Sequence, residues 1–337
     1  MTPATMPGMR ALKRRLRTNV TACGLVYRWD ARRHGQAFAV IMYHRVVEQP
    51  DPYFDHGLSV STFQAQLRLF KRCCAVLSLD EITTRLDDGK PLPPRCVALT
   101  FDDGYRDTST LAWPLLRQHR FPATLFVAVE ALERGVFWSE LVRWCLRDTT
   151  ARRVRLETLK EPPRTWPLES LQDRLSVITQ LYARLKGLSN VERNVVVDEL
   201  SRTLLHTPAE QVAIRNLMLS WDEVKRLSSD GVAIGSHTVT HPSLTGLSVR
   251  EAASEIETSR RRLAERLNLP VLHFSYPWGD GSPAIQDLVK AAGFRTACTT
   301  RHGLNSPSEN RWSLKRINGV QASLRGLVRA MTEESGR

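Results

Sequence analysis

No apolar run of roughly 18 residues, enough for a helix to cross a bilayer, occurs in the chain, so no spanning segment is expected. The opening stretch "MTPATMPGMRALKRRLRTNV" is basic, but no apolar core follows its charges, so a cleavable secretory signal is not expected either. The six cysteines include no C-x-x-C pair. In a chain of this length without a signal they read as reduced core thiols, with Cys96 in a buried-looking strand and Cys145 in a helix. Internal repeats, low-complexity tracts and basic residues interleaved with aromatics are all missing, so nucleic acid is not an expected partner. Acidic residues are too few to balance the bases: 35 against 48 gives a net charge of +13. Much of that excess lies in the first 40 residues. There Arg10, Lys13, Arg14, Arg15, Arg17, Arg28, Arg32 and Arg33 are opposed only by Asp30. Such an arm is either a solvated basic tail or a segment that docks on anionic lipid head groups, so the expected location is cytoplasmic, with a peripheral place at the inner membrane surface as the alternative.

What is present is an ordinary globular balance, 42% hydrophobic and 25% charged over 337 residues. Short strand-like runs, "AFAVIMYH", "CVALTF", "PATLFVAV", "VAIGSH" and "VLHFSYPWGDG", alternate with helical patterns. That alternation predicts a mostly parallel sheet covered by helices. Ser220 with Glu223, and Ser248 with Glu251, have capping-box spacing at two helix starts. From Ser139 to Leu219 the pattern is helical, with no strong strand run. The expected organisation is a basic arm (1–36), a first barrel part (37–138), a helical insertion (139–219), a second barrel part (220–325) and a C-terminal tail (326–337).

Polar chemistry gathers where apolar strands end: Asp102-Asp103 after "VALTF", His237 and His241 after "VAIGS", and "PWGDG" after "HFSY". In α/β barrels and open sheets that edge carries the active site. His237 and His241 are four apart, so one turn of helix would put both imidazoles on one side. Two histidines and a carboxylate can hold Zn²⁺ with one position open. A zinc protease needs Glu directly after the first histidine, and here that residue is Thr238. The Asp pair is the remaining source of a carboxylate. A dication there would also relieve the repulsion between the two neighbouring aspartates.

"TFDDGY" (100–105), "SHTVTH" (236–241) and "FSYPWG" (274–279), in that order, resemble the polysaccharide deacetylases, carbohydrate esterase family 4. "MYHRV" (42–46) is also similar to this family. The resemblance covers roughly residues 37–135 and 219–320. It implies a distorted (β/α) barrel with fewer than eight regular units. It also implies Asp103, His237 and His241 as metal ligands and Asp102 as general base. Tyr105, Pro277 and Trp278 fall at substrate and oxyanion positions, with a backbone N–H near Trp278 as oxyanion donor. Zn²⁺ is the expected ion, with Co²⁺, Ni²⁺ and Fe²⁺ also suited to such donors.

Two positions depart from the family pattern. An arginine is common two residues before the motif proline, but Ser275 stands there, so another cation must orient Asp102, or none does. No late Leu-x-His is visible, and "RWSLKRING" (311–319) occupies its region. His44 is the candidate general acid in its place, ahead of His302 and His273. Tyr105, Trp278, Phe137 and Trp138 are candidate sugar platforms, although core packing suits the last two equally. The expected activity is removal of N-acetyl groups from an amino-sugar glycan. Two alternatives remain at this level. One is deacylation of a lipid-linked or nucleotide-linked sugar precursor; the other is a glycan binder on a degenerate fold.

Overall fold

A computed structural model describes residues 37–54, 57–159, 165–205, 216–320 and 323–332. The basic arm, with Cys23, lies outside the described residues. Twelve strands are described: β1 (Phe38–Tyr43), β2 (Arg45–Val47), β3 (Gly57–Ser59), β4 (Ala75–Val76), β5 (Cys96–Phe101), β6 (Thr124–Val127), β7 (Arg153–Arg155), β8 (Thr165–Pro167), β9 (Ala233–Ser236), β10 (His273–Ser275), β11 (Thr296–His302) and β12 (Leu314–Asn318). The main sheet is parallel throughout and runs β1-β12-β11-β10-β9-β6-β5. β5 then pairs back to β1 along its whole length, which closes a seven-stranded barrel. β4 and β6 share the other edge of β5, β4 at its start and β6 at its end.

β1 and β5 are buried at every position, as parallel strands covered on both faces must be. Their alternate residues divide between two clusters. Ala39, Ile41, Val97, Leu99 and Phe101 join the large cluster under the outer helices. Phe38, Val40, Cys96 and Ala98 meet Phe126, Cys298 and Leu314 in the barrel interior, and Leu79 and Ile82 of the helix Leu79–Asp87 join them there. Both expected capping boxes form, at Ser220 and at Ser248. Cys96, Cys145 and Cys298 are buried free thiols.

The segment after Trp138 has a core of its own. Helices Trp138–Asp148, Leu171–Leu185 and Asn190–Leu204 pack Val142, Leu146, Val177, Leu181 and Leu200 together. It also holds an antiparallel pair, β7 with β8, which the sequence did not lead us to expect. Each strand buries only its middle residue, Val154 or Trp166, too little to mark a period of two. The expected C-terminal tail is corrected as well. The boundary at 325/326 falls inside the helix Leu324–Thr332, whose Leu327, Val328 and Met331 are fully buried in the main core.

Candidate metal centre at the barrel rim

The C-terminal ends of β1, β5, β9 and β10 meet at one rim, and each delivers polar residues to it. After β5 the chain turns within two residues. Gly104 N–H donates to Asp102 O at 3.0 Å, with Asp103 at φ +76° and Gly104 at φ +89°. A side chain at Gly104 would put a Cβ 3.1 Å from Val127 Cγ1. This left-handed turn sends the neighbouring carboxylates to different partners, which resolves their expected repulsion.

Asp102 turns into the barrel. Arg316 of β12 donates from Nη1 to Asp102 Oδ1 at 2.8 Å and from Nη2 to Oδ2 at 2.6 Å. Arg316 also donates to Ser275 Oγ at 3.1 Å, and Ser275 Oγ donates to Asp102 Oδ2 at 3.3 Å. Both members of the ion pair are almost fully buried, at 1% and 2% exposure. Burial pushes the Asp102 carboxyl up, but the Arg316 charge and its hydrogen bonds outweigh burial and hold the group below the usual carboxylate range. Arg316 is therefore the cation that the serine at 275 left missing. The missing histidine in "RWSLKRING" does not point to this residue. The signal was there: Arg316 shares a strand face with Leu314, and a charge on a buried face needs a partner.

Asp103 turns toward the histidines. Its Oδ1 lies 3.4 Å from His237 Nε2 and 3.4 Å from His241 Nε2, and the two Nε2 atoms are 3.2 Å apart. The one-turn helix expected for the histidines is not what joins them. His237 leaves β9 into a loop in which Thr238 has φ +67° and His241 has φ +55°. A β-branched residue in the left-handed region is uncommon, and strain of that kind concentrates at functional sites. Proline follows at position 242, and Thr238, Val239 and Thr240 are all β-branched, which disfavours helix.

The three donors fit a divalent ion. Tetrahedral bonds of 2.0–2.1 Å place ligand atoms about 3.3–3.4 Å apart, close to the three separations here. Asp103 Oδ1 is buried and accepts no hydrogen bond, a cost that an ion would remove. His237 Nδ1 is 2.7 Å from Ser275 O, so that nitrogen carries the proton and Nε2 presents its lone pair to the site. Burial, reinforced by the neighbouring His237, holds the His241 imidazole down to about 3, so that ring is neutral. Burial also lowers His237, but the adjacent Asp103 and Asp102 carboxylates prevail and raise it. A dication would take the place of the proton that those carboxylates favour there.

Other expected residues divide between rim and core. His44 follows β1 directly, is half-buried, and its charge lowers Asp102 and Asp103. Pro277 is buried. Trp278 has φ +62° and its ring lies 5.3 Å from that of His241. The turn's own bonds run from Gly279 N–H to Tyr276 O and from Asp280 N–H to Pro277 O, so the Trp278 N–H stays outside them. Tyr105 is corrected as a surface platform: its ring is 1% exposed, under the Arg45 guanidinium at 4.9 Å and against Phe137. Phe137 is likewise buried, 5.1 Å from the His241 ring, and Trp138 packs on Tyr182. His302 is exposed at the end of β11. His273 begins β10, at the opposite end of the barrel, buried between Thr296 Oγ1 and the Asp80 carboxylate.

Comparison with known proteins adds to this geometry. A family model described as polysaccharide deacetylase matches residues 89–156 and 189–297, just over half of the chain. It reaches further into the central segment than the sequence resemblance did. A poly-beta-1,6-N-acetyl-D-glucosamine N-deacetylase of Escherichia coli (strain K12) is 31% identical over 87 residues, 26% of this chain and 13% of that protein. YxkH of Bacillus subtilis (strain 168), named as a polysaccharide deacetylase, is 25% identical over 99 residues, 29% of this chain and 36% of that one. The chain thus matches well under half the length of either relative. The solved structure of the Streptococcus pyogenes deacetylase PplD in complex with acetate superposes with a TM-score of 0.59 at 18% identity. It covers 88% of this chain and 99% of that one, a likeness of fold. The family match places the chain in the polysaccharide deacetylase family.

Proposed function

We propose that the protein is a metal-dependent deacetylase that removes N-acetyl groups from an amino-sugar glycan. The observation that carries this reading is the triangle of Asp103, His237 and His241 donors, 3.2–3.4 Å on a side, with a second, separately held carboxylate alongside. Donors of this kind suit Zn²⁺ first, and Co²⁺, Ni²⁺ or Fe²⁺ also. The ion would supply Lewis acidity to polarise the acyl carbonyl and acidify water.

The chain's own groups supply the rest. Arg316 keeps Asp102 ionised and fixes its plane. Asp102 Oδ1 accepts one hydrogen bond among the described residues, which leaves a lone pair for the proton of the attacking water. The Trp278 N–H is the candidate donor to the oxygen that gains charge, an interaction worth roughly 3 kcal/mol in other hydrolases. His44 is the candidate acid for the departing amine. Water adds to the acyl carbon, the C–N bond breaks, and acetate and a protonated amine leave. The test is acetate release from N-acetylglucosamine oligomers by metal-loaded protein and by Asp102→Asn. Release by wild type and loss of at least about a hundredfold in the variant are expected for a general base. Fully loaded wild type that releases no acetate would overturn the reading.

The concentration of positive charge in the first 40 residues favours a second reading of the substrate: a lipid-linked sugar precursor met at an anionic membrane surface. No helix among the described residues is long and apolar enough to cross a membrane.

A further inference from the structure

The two histidines are held differently. His237 has its Nδ1 fixed by the Ser275 carbonyl, whereas His241 Nδ1 has no hydrogen-bond partner among the described residues. The direction of the His241 ring is therefore set by the backbone that carries it and by packing on Phe137 and Trp278. That backbone is a strained loop with left-handed residues at both Thr238 and His241. Something must hold it.

Most of the loop's polar groups are held by its neighbours. His237 N–H donates to Val127 O, Thr238 O accepts from Val129 N–H, Val239 O accepts from Glu130 N–H, and His241 N–H donates to Thr238 Oγ1. The N–H groups of Val239 and Thr240 go to one carboxylate. Glu255, on the helix Val249–Leu267, accepts from Val239 N at 2.8 Å and Thr240 N at 3.0 Å through Oε2. Its Oε1 accepts from the Thr240 hydroxyl at 2.8 Å. That hydroxyl in turn accepts from Asn190 Nδ2 at 2.9 Å. Asn190 begins the helix Asn190–Leu204 of the central segment, where its Oδ1 accepts from Arg193.

We infer that Glu255 is a positioning residue for the metal ligand His241, and that Asn190 ties the central helical segment into the same clamp. The inference rests on the reading that Asp103, His237 and His241 hold a divalent ion. Without Glu255, the two backbone N–H groups of Val239 and Thr240, beside the ligand, lose the carboxylate that accepts from them. The chain can then relax toward ordinary φ values, which swings His241 away from Asp103 and His237. The central helices thereby gain a role at the site, because one of their residues fixes the hydroxyl that completes the carboxylate's third bond.

The experiment measures Zn²⁺ affinity by chelator competition and the visible spectrum of the Co²⁺ form, on the full chain. The variants are Glu255→Ala, Glu255→Gln, Thr240→Val, Thr240→Ser and Asn190→Ala. Glu255→Ala is expected to weaken Zn²⁺ binding by at least about tenfold and to change the Co²⁺ bands as His241 leaves the donor set. Glu255→Gln falls between, since an amide accepts through one arm only. Thr240→Val weakens binding and Thr240→Ser, which keeps the hydroxyl, restores it. Asn190→Ala weakens it by a few-fold with the melting temperature of the metal-free protein unchanged. Should Glu255→Ala fail to fold, Thr240→Val against Thr240→Ser and Asn190→Ala decide the matter. Wild type that binds no stoichiometric Zn²⁺ overturns the metal reading itself. Wild type that binds Zn²⁺ while every folded variant binds within twofold of it overturns the clamp alone.

Discussion

Asp102 and Asp103 are neighbours in the chain and opposites in environment, and the reason lies in who answers each charge. Asp102 is paired by an arginine from the far end of the sequence, 214 residues away, while Asp103 is left to two imidazoles and the ion they would hold. The carboxylates were legible because they stand together at the end of an apolar strand. Arg316 was not, because strand adjacency in a closed barrel has no counterpart in sequence spacing. Its removal should be costly. Arg316→Met leaves the Asp102 carboxylate buried without a counter-charge, and the fold should lose roughly 3–5 kcal/mol in urea denaturation. Arg316→Lys keeps a charge but not the two-pronged geometry. That variant should fold with a smaller loss and still deacetylate more slowly, through kcat rather than KM. An Arg316→Lys variant as stable and as fast as wild type would mean that the fork geometry is irrelevant to how Asp102 is held.

At the scale of elements, what could be read was what is local. The boxes at Ser220 and Ser248 form because each needs only residues three apart. A spacing of four between His237 and His241 was ambiguous, since a helical turn and a folded-back loop both satisfy it. The β-branched run between them and Pro242 after them were the clues to a loop. The turn after β10 follows the same logic of backbone strain. Gly279 has φ +80°, and a Cβ there would sit 1.9 Å from Thr300 Oγ1. Gly279→Ala must therefore shift the turn that carries Trp278, at a cost of about 1–3 kcal/mol. Acetate release should fall further than stability does, as comparison of melting temperature with kcat will show. Ser220→Ala removes a cap worth about 1 kcal/mol. Burial raises Glu223, but hydrogen bonds from Ser220 and Arg106 prevail and hold its carboxyl below the usual range. Its contribution is thus present above the unfolded pKa and lost as pH falls through the lower folded one. The stability gap between wild type and Ser220→Ala should narrow on acidification below about pH 4.

At the scale of the whole molecule, alternating strands and helices announced a parallel sheet, but nothing in the order of segments announced that β1 would pair with both β5 and β12 and so close it. Closure is what brings residues between 44 and 316 to one rim. The basic arm lies entirely before that span, which separates attraction to a surface from chemistry. Residues 1–36 carry eight bases and one acid, so removing them takes the net charge from +13 to +6. Near an anionic membrane each Lys or Arg contributes about 1 kcal/mol, screened within a Debye length of roughly 8 Å at physiological salt. The full chain should therefore sediment with phosphatidylserine vesicles at low ionic strength and come off at about 0.5 M salt, where screening is several times shorter. The chain lacking residues 1–36 should stay in solution under both conditions and still release acetate from soluble oligomers at the full-length rate. Vesicle binding that survives the truncation would move the membrane contact, and with it the case for a lipid-linked substrate, off the arm and onto the barrel.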